Sequence, residues 1–78
     1  IHKDDKSLLQ EFLQGKKIAI PEYTVIEIEC EPHAQVFEVK CRIPKLNIEK
    51  IGKGPSRKIA EQNAANLALI YLGKISGS

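Results

Sequence analysis

The sequence lacks several features that enzymes and membrane proteins depend on. It has 78 residues, with no Trp, no Met, two Phe and two Tyr, which suffices for one small core but leaves little chain to enclose a cofactor cleft. No run of about 18 apolar residues could span a bilayer, and no signal-peptide pattern is present. We therefore expect one soluble, cytoplasmic domain without a membrane partner.

Groups of residues suited to catalysis or metal binding are equally scarce. Asp occurs only at Asp4 and Asp5, so no Ser/His/Asp triad can be argued. The two cysteines and two histidines form neither a CxxC nor an HxxxH pair. The predicted strand register also places Cys30 and Cys41 too far apart for a disulfide. We expect reduced thiols, no metal site and no catalytic residue in this chain.

Charge is segregated along the chain although the net charge is only +2. Residues 22–38 contain five acids and no Lys or Arg, whereas residues 40–58 contain seven bases and one acid. A polyanion responds to the local field rather than to the total. The second segment is therefore the candidate for binding one.

The first periodic segment, Lys6–Gln14, has the apolar spacing of an amphipathic helix. Asp4 or Asp5 is expected to cap its start and Gly15 to take a left-handed exit. Its opposite face carries a stripe of hydrogen-bonding side chains over about 10 Å, formed by Ser7, Gln10, Glu11 and Gln14. Such a stripe is consistent with a solvated face or with ligand binding.

Three strands are predicted next. Tyr23–Glu29 is rich in β-branched residues, with a bulge near Val25 and Ile26. Phe37–Ile43 alternates between apolar and charged residues, and a third strand is expected over Ile48–Ile51. The first two strands form an antiparallel hairpin through the connection Cys30–Gln35, with Pro32 and His33 at its tip.

A second helix is predicted over Ser56–Leu72, with Ser56 as its N-cap. Its buried stripe is predicted to comprise Ala60, Ala64, Leu67, Ala68 and Tyr71. The predicted fold is an α+β, two-layer α-β-β-β-α domain, in which a three-stranded antiparallel sheet carries both helices on one face.

The segment Gly52–Lys58 joins the third strand to this helix and is strongly basic. Arg57 and Lys58 lie in the first helical turn, where the helix dipole disfavours cations. Together with Lys53 and the free amides after Ser56 they form a phosphate-binding arrangement. The spacing departs from both the Walker loop and the dinucleotide fingerprint, so a nucleotide-using enzyme is disfavoured.

These motifs together resemble the double-stranded RNA-binding domain family, in particular the C-terminal domain of bacterial ribonuclease III. The resemblance covers about residues 4–73. It is carried by Leu9–Gln14, Pro21–Tyr23, Pro32–His33 with Phe37, Gly52–Gln62 and Ala64–Ala65.

The resemblance implies that RNA binds in three places. The first minor groove would receive Ser7, Gln10, Glu11 and Gln14, and the second would receive Pro32 and His33. The phosphates between them would contact Lys53, Ser56, Arg57 and Lys58. Some positions depart from the common pattern: Glu31 stands where Gly is usual, and Pro55 where a polar or basic residue is frequent. Glu61 replaces the lysine of many eukaryotic members, which fits the bacterial branch but removes one cation.

The resemblance also implies how the chain is organised. Residues 1–3 would be a linker remnant, 4–73 the RNA-binding domain and 74–78 a tail. The chain would bind double-stranded RNA without cofactor, whereas a magnesium-dependent nuclease domain in cis, absent here, would cleave RNA precursors and form the homodimer. The alternative is a domain of the same fold used mainly for protein dimerisation.

Overall fold

The computed structural model describes residues 4–32 and 34–75. The elements follow in the order α1 (Asp5–Gly15), β1 (Glu22–Glu31), β2 (Ala34–Ile43), a 3₁₀ turn (Pro44–Leu46), β3 (Ile48–Gly54) and α2 (Arg57–Tyr71). The strands form one antiparallel sheet in the order β1-β2-β3. The predicted α+β fold is confirmed.

Both helices begin at the predicted caps. The Asp4 carboxylate accepts from the Ser7 amide at 2.7 Å, and the Ser56 hydroxyl accepts from the Ile59 amide at 3.2 Å. The exit from α1 was predicted wrongly. Gly15 is helical, and Lys17 takes the left-handed conformation with φ 58°, because the Lys17 and Ile18 amides close the helix on the carbonyls of Gln14 and Leu13.

The hairpin is tighter than predicted. Both strands continue to the pair Glu31 and Ala34, so the connection is two residues rather than the predicted Cys30–Gln35. His33 lies outside the described residues. The predicted bulge is confirmed, since the register shifts between Val25 and Glu27. β3 is longer than predicted and ends at Gly54.

The core lies between the sheet and the helices. Its fully buried side chains include Leu9 and Leu13 from α1, Val39, Cys41 and Ile43 from β2, and Leu69 from α2. Cys30 is exposed, and both thiols are free as predicted.

The buried stripe of α2 consists of Ala60, Ala64, Ala65, Ala68 and Leu69. Leu67 and Tyr71 were predicted to belong to it, but they are 40% and 66% exposed. The buried face turns toward Ala65 and Leu69, which leaves Tyr71 at the margin with its ring centroid 4.5 Å from the Lys50 ammonium.

Gly52 sets the distance between β3 and α2. A Cβ at this position would lie 2.5 Å from the Ala60 carbonyl oxygen and 2.8 Å from the Ala64 Cα. Only glycine permits this approach of strand and helix. The small side chains of α2 allow the same closeness from the other side.

Candidate nucleic-acid interface

The polar stripe of α1 faces outward as predicted. Gln10, Glu11 and Gln14 are exposed and Ser7 is half-buried, while Leu9 and Leu13 on the other side of the helix are fully buried. The helix thus presents a hydroxyl, two amides and a carboxylate over about 10 Å. This combination can accept and donate hydrogen bonds but offers no cation to a phosphate.

The basic group lies at the start of α2. Lys53 is at the end of β3, and Ser56, Arg57 and Lys58 follow at the helix cap and first turn. The side chains of Lys53 and Arg57 are 64% and 60% exposed, and Lys58 is exposed. Since the Ser56 hydroxyl engages only one of the free amides, the others remain available to an anion.

The Asn63 side chain fixes the approach to this helix. Its Nδ2 donates to the Lys53 carbonyl oxygen at 2.6 Å. The end of β3 is thereby tied to the second turn of α2. No local sequence pattern predicts this hydrogen bond, because the two residues are ten positions apart and meet only when α2 packs against β3.

The hairpin tip projects beyond β3. Phe37 pairs with both Ile28 and Gly54, so the three residue pairs beyond it form a two-stranded ribbon about 10 Å long at ~3.3 Å per residue. Pro32 lies exposed in the turn. The ribbon therefore presents Pro32 at a distance from the basic group.

An ion-pair network that the sequence did not predict joins the two helices. The Glu61 carboxylate of α2 accepts from the Lys6 ammonium of α1 at 2.6 Å and from the Arg57 Nε at 3.0 Å. Burial opposes its ionisation, but the hydrogen bonds from Lys6 and Arg57 prevail and lower the pKa of Glu61. The i, i+4 spacing of Arg57 and Glu61 could have predicted their ion pair. The ion pair with Lys6 could not be predicted in this way, because Lys6 lies 55 positions from Glu61 in the sequence.

The acidic segment forms a separate cluster on β1 and β2. Carboxylate oxygens of Glu27, Glu29 and Glu38 lie within 4.8 Å of one another. A hydrogen bond with Glu38 and repulsion from the neighbouring carboxylates raise the pKa of Glu27. Glu38 also pairs with Lys53 at 3.9 Å. The proximity of these carboxylates accounts for the raised pKa of Glu27, and the absence of a metal site stays a prediction.

The polar stripe on α1, the projecting hairpin and the basic start of α2 define a class of protein, the α-β-β-β-α nucleic-acid-binding domains. A family model described as the double-stranded RNA binding motif matches residues 6–72. The chain belongs to this family.

Curated relatives place the chain close to bacterial ribonuclease III. It is 53% identical over 73 residues to Ribonuclease 3 of Cupriavidus taiwanensis, a match that covers 94% of this chain and 28% of the relative. It is 60% identical over 67 residues to Ribonuclease 3 of Ralstonia pickettii, covering 86% of this chain and 26% of the relative. The chain spans about a quarter of the length of these relatives.

Solved structures agree. A structure of Arabidopsis HYL1, described in connection with miRNA processing, superposes with a TM-score of 0.74 at 33% identity and covers 90% of this chain and 97% of that one. The paired double-stranded RNA-binding domains of DRB4 give a TM-score of 0.67 at 25% identity, over 92% of this chain and 46% of theirs.

No helix among residues 4–32 and 34–75 has the length and apolar character needed to cross a membrane.

Proposed function

We propose that residues 4–73 bind double-stranded RNA by shape, largely without regard to sequence. The observation that carries the proposal is the Ser56-capped start of α2, where exposed Arg57 and Lys58 lie in the first turn beside free helix amides and exposed Lys53 lies near the end of β3. This arrangement suits the phosphates that border the major groove. Family membership supports the same conclusion.

The polar stripe of α1 would read the first minor groove. Gln10, Glu11 and Gln14 offer acceptors and donors to 2′-hydroxyls, which DNA lacks. A carboxylate such as Glu11 is repelled by phosphate but accepts from a hydroxyl, so it favours RNA over DNA. Pro32 and His33 would enter the second minor groove from the hairpin tip.

For the whole protein we infer a cytoplasmic, double-stranded-RNA-specific endoribonuclease that processes rRNA and mRNA precursors. The relatives named Ribonuclease 3 support this inference. The present domain would deliver substrate to a nuclease domain in cis, through which the parent would form a homodimer. Magnesium is expected only in that nuclease domain, and RNA binding by the present residues requires none.

Fluorescence anisotropy with an RNA duplex of about 20 base pairs, the matching DNA duplex and single-stranded RNA tests the proposal, since such domains span about 16 base pairs. We expect preference for the RNA duplex. With three phosphate-contacting cations, the slope of log K against log salt should be roughly −2 to −3. Equal affinity for RNA and DNA duplexes would contradict the role given to the α1 stripe.

The double substitution Arg57→Ala, Lys58→Ala should abolish most binding while leaving the circular dichroism spectrum unchanged. Its matched control is Arg42→Ala, Lys45→Ala, which removes one Arg and one Lys that are also exposed. Arg42 lies on the face of the sheet opposite the helices, because its neighbours Cys41 and Ile43 are buried. Equal losses in both variants would refute the phosphate assignment. Self-association with indifference to RNA would favour the dimerisation alternative.

A further inference from the structure

Glu61 lies in the phosphate-binding region although its charge opposes phosphate. It is one turn after Arg57 on α2, and its side chain is only 12% exposed. By charge alone, a carboxylate beside these cations should weaken RNA binding. Its contacts point to the opposite effect.

The first contact fixes Arg57. A guanidinium has five N–H donors in a rigid plane, and the Nε–H of Arg57 is engaged by the Glu61 carboxylate at 3.0 Å. This hydrogen bond leaves the four donors on the two Nη atoms unused. A side chain that is 60% exposed and would otherwise sample many rotamers is thus held in one orientation before RNA arrives.

The second contact fixes α1 against α2. Lys6 gives its ammonium to Glu61 at 2.6 Å and its backbone amide to Gln62 Oε1 at 3.2 Å. The same ammonium lies 4.9 Å from the centroid of the Tyr23 ring, which adds a cation–π contact. Glu61 therefore joins the helix that would read the minor groove to the helix that would bind phosphate.

We propose that Glu61 is a positioning residue for RNA binding, which orients the Arg57 guanidinium and holds the two RNA-contacting helices in their relative placement. This inference rests on the proposed function. A rigid duplex presents its minor groove and phosphates at fixed spacing, so a protein whose contacts are already spaced to match loses less entropy on binding.

The decisive variant is Glu61→Gln, since a role in charge alone and a role in positioning predict opposite changes in RNA affinity. Removal of a negative charge should tighten binding if Glu61 only opposes phosphate. Loss of positioning should weaken it, by about three- to tenfold in Kd, the cost of ordering one or two flexible side chains. The control Glu49→Gln removes a carboxylate paired with Lys40 at 3.5 Å on the other face of the sheet, and its Kd should stay within about twofold. Binding by Glu61→Gln that is equal to or tighter than wild type would overturn the proposal.

A variant pair separates positioning from a general loss of structure. In an Arg57→Ala background Glu61→Gln should have a much smaller effect, because the group that Glu61 orients is absent. An equal loss in both backgrounds would mean that Glu61 acts through the fold alone, contrary to the proposal. If wild type fails to bind RNA, the proposed function itself fails. If wild type binds and Arg57→Ala weakens it, the Glu61 result judges this inference alone.

A measurement without substitution covers the case in which Glu61→Gln does not fold. The chain has two arginines, Arg42 and Arg57. Of these two, only Arg57 has a carboxylate partner within the part of the chain that the structure describes. The ¹⁵Nε relaxation of Arg57 should show a rigid side chain in the RNA-free protein, with Arg42 mobile. Equal mobility of the two would overturn the proposal.

Discussion

Gly52→Ala is expected to be strongly destabilising, although it adds a single methyl group. The new Cβ would lie within 2.8 Å of three backbone atoms of α2, namely the Ala60 carbonyl oxygen and the amide nitrogen and Cα of Ala64. Normal carbon contacts lie at about 3.5–4.0 Å, so α2 would have to retreat by about 1 Å. Backbone cannot rotate away as a side-chain end can, and the cost should reach about 3 kcal/mol, the upper part of the overpacking range.

That cost is a large part of the total stability, which for a chain of this length is about 4–12 kcal/mol. We expect the melting temperature to fall by about 12–24 °C in a calorimetric or circular dichroism melt. The matched control is Gly15→Ala, where a Cβ meets no atom within 4 Å and the residue is helical, so a gain of about 0.5 kcal/mol is expected. If Gly52→Ala lowers the free energy of unfolding by less than about 1 kcal/mol, the close approach of β3 and α2 is refuted. A loss for Gly15→Ala would instead support the left-handed exit predicted from sequence.

The remaining predictions concern single side chains. Ser56→Ala should cost about 1 kcal/mol by loss of the helix cap, whereas Ser56→Asp should keep the cap and the melting temperature but weaken RNA binding in anisotropy. The raised pKa of Glu27 means that its folded-state ionisation destabilises the protein as pH rises above 4.5, so Glu27→Gln should raise the melting temperature more at pH 7 than at pH 4. The lowered pKa of Glu61 has the opposite effect on stability, because the ionised carboxylate stabilises the folded protein. The contribution of Glu61 to the free energy of unfolding is complete above about pH 4.5 and is lost as the pH falls below it. Glu61→Gln should therefore flatten the acid side of the plot of stability against pH. A thiol reagent should label exposed Cys30 at once and buried Cys41 only on unfolding, and equal rates would contradict the β2 register.

The parts of the fold that could be predicted are those specified by local chemistry. Asp4 and Ser56 are helix caps because their side chains accept from amides three residues ahead, which needs no tertiary partner. The alternation of β2 set Val39, Cys41 and Ile43 inside for the same reason. The outward placement of the polar stripe of α1 follows from the helical period alone.

The wrong predictions depended on how elements meet. Tyr71 has the right spacing to share a face with Ala60, but the helix contacts the sheet through Ala65 and Leu69, a rotation that only packing decides. The left-handed residue after α1 falls at Lys17 rather than Gly15, because the helix continues until its closing amides reach Leu13 and Gln14. Propensity favoured glycine, and hydrogen bonding over the last turn overrode it.

Glu61 shows why residue type alone is an insufficient guide to a binding surface. At position 61 a lysine would add a phosphate contact, but this chain has a glutamate. A simple count of charges would therefore predict weaker RNA binding. The structure shows that the acid has two cationic partners, of which Lys6 comes from the other helix. One carboxylate between two cations leaves the group with a net positive charge, so on the proposed function phosphate attraction would survive while the guanidinium would gain a fixed orientation. A lysine at position 61 could not hold Lys6 and Arg57 in this way, since like charges repel. If the proposed function holds, a chain with Glu61 would give up one phosphate contact and gain a fixed placement of the remaining ones, and weaker RNA binding by Glu61→Gln is the result that this account requires.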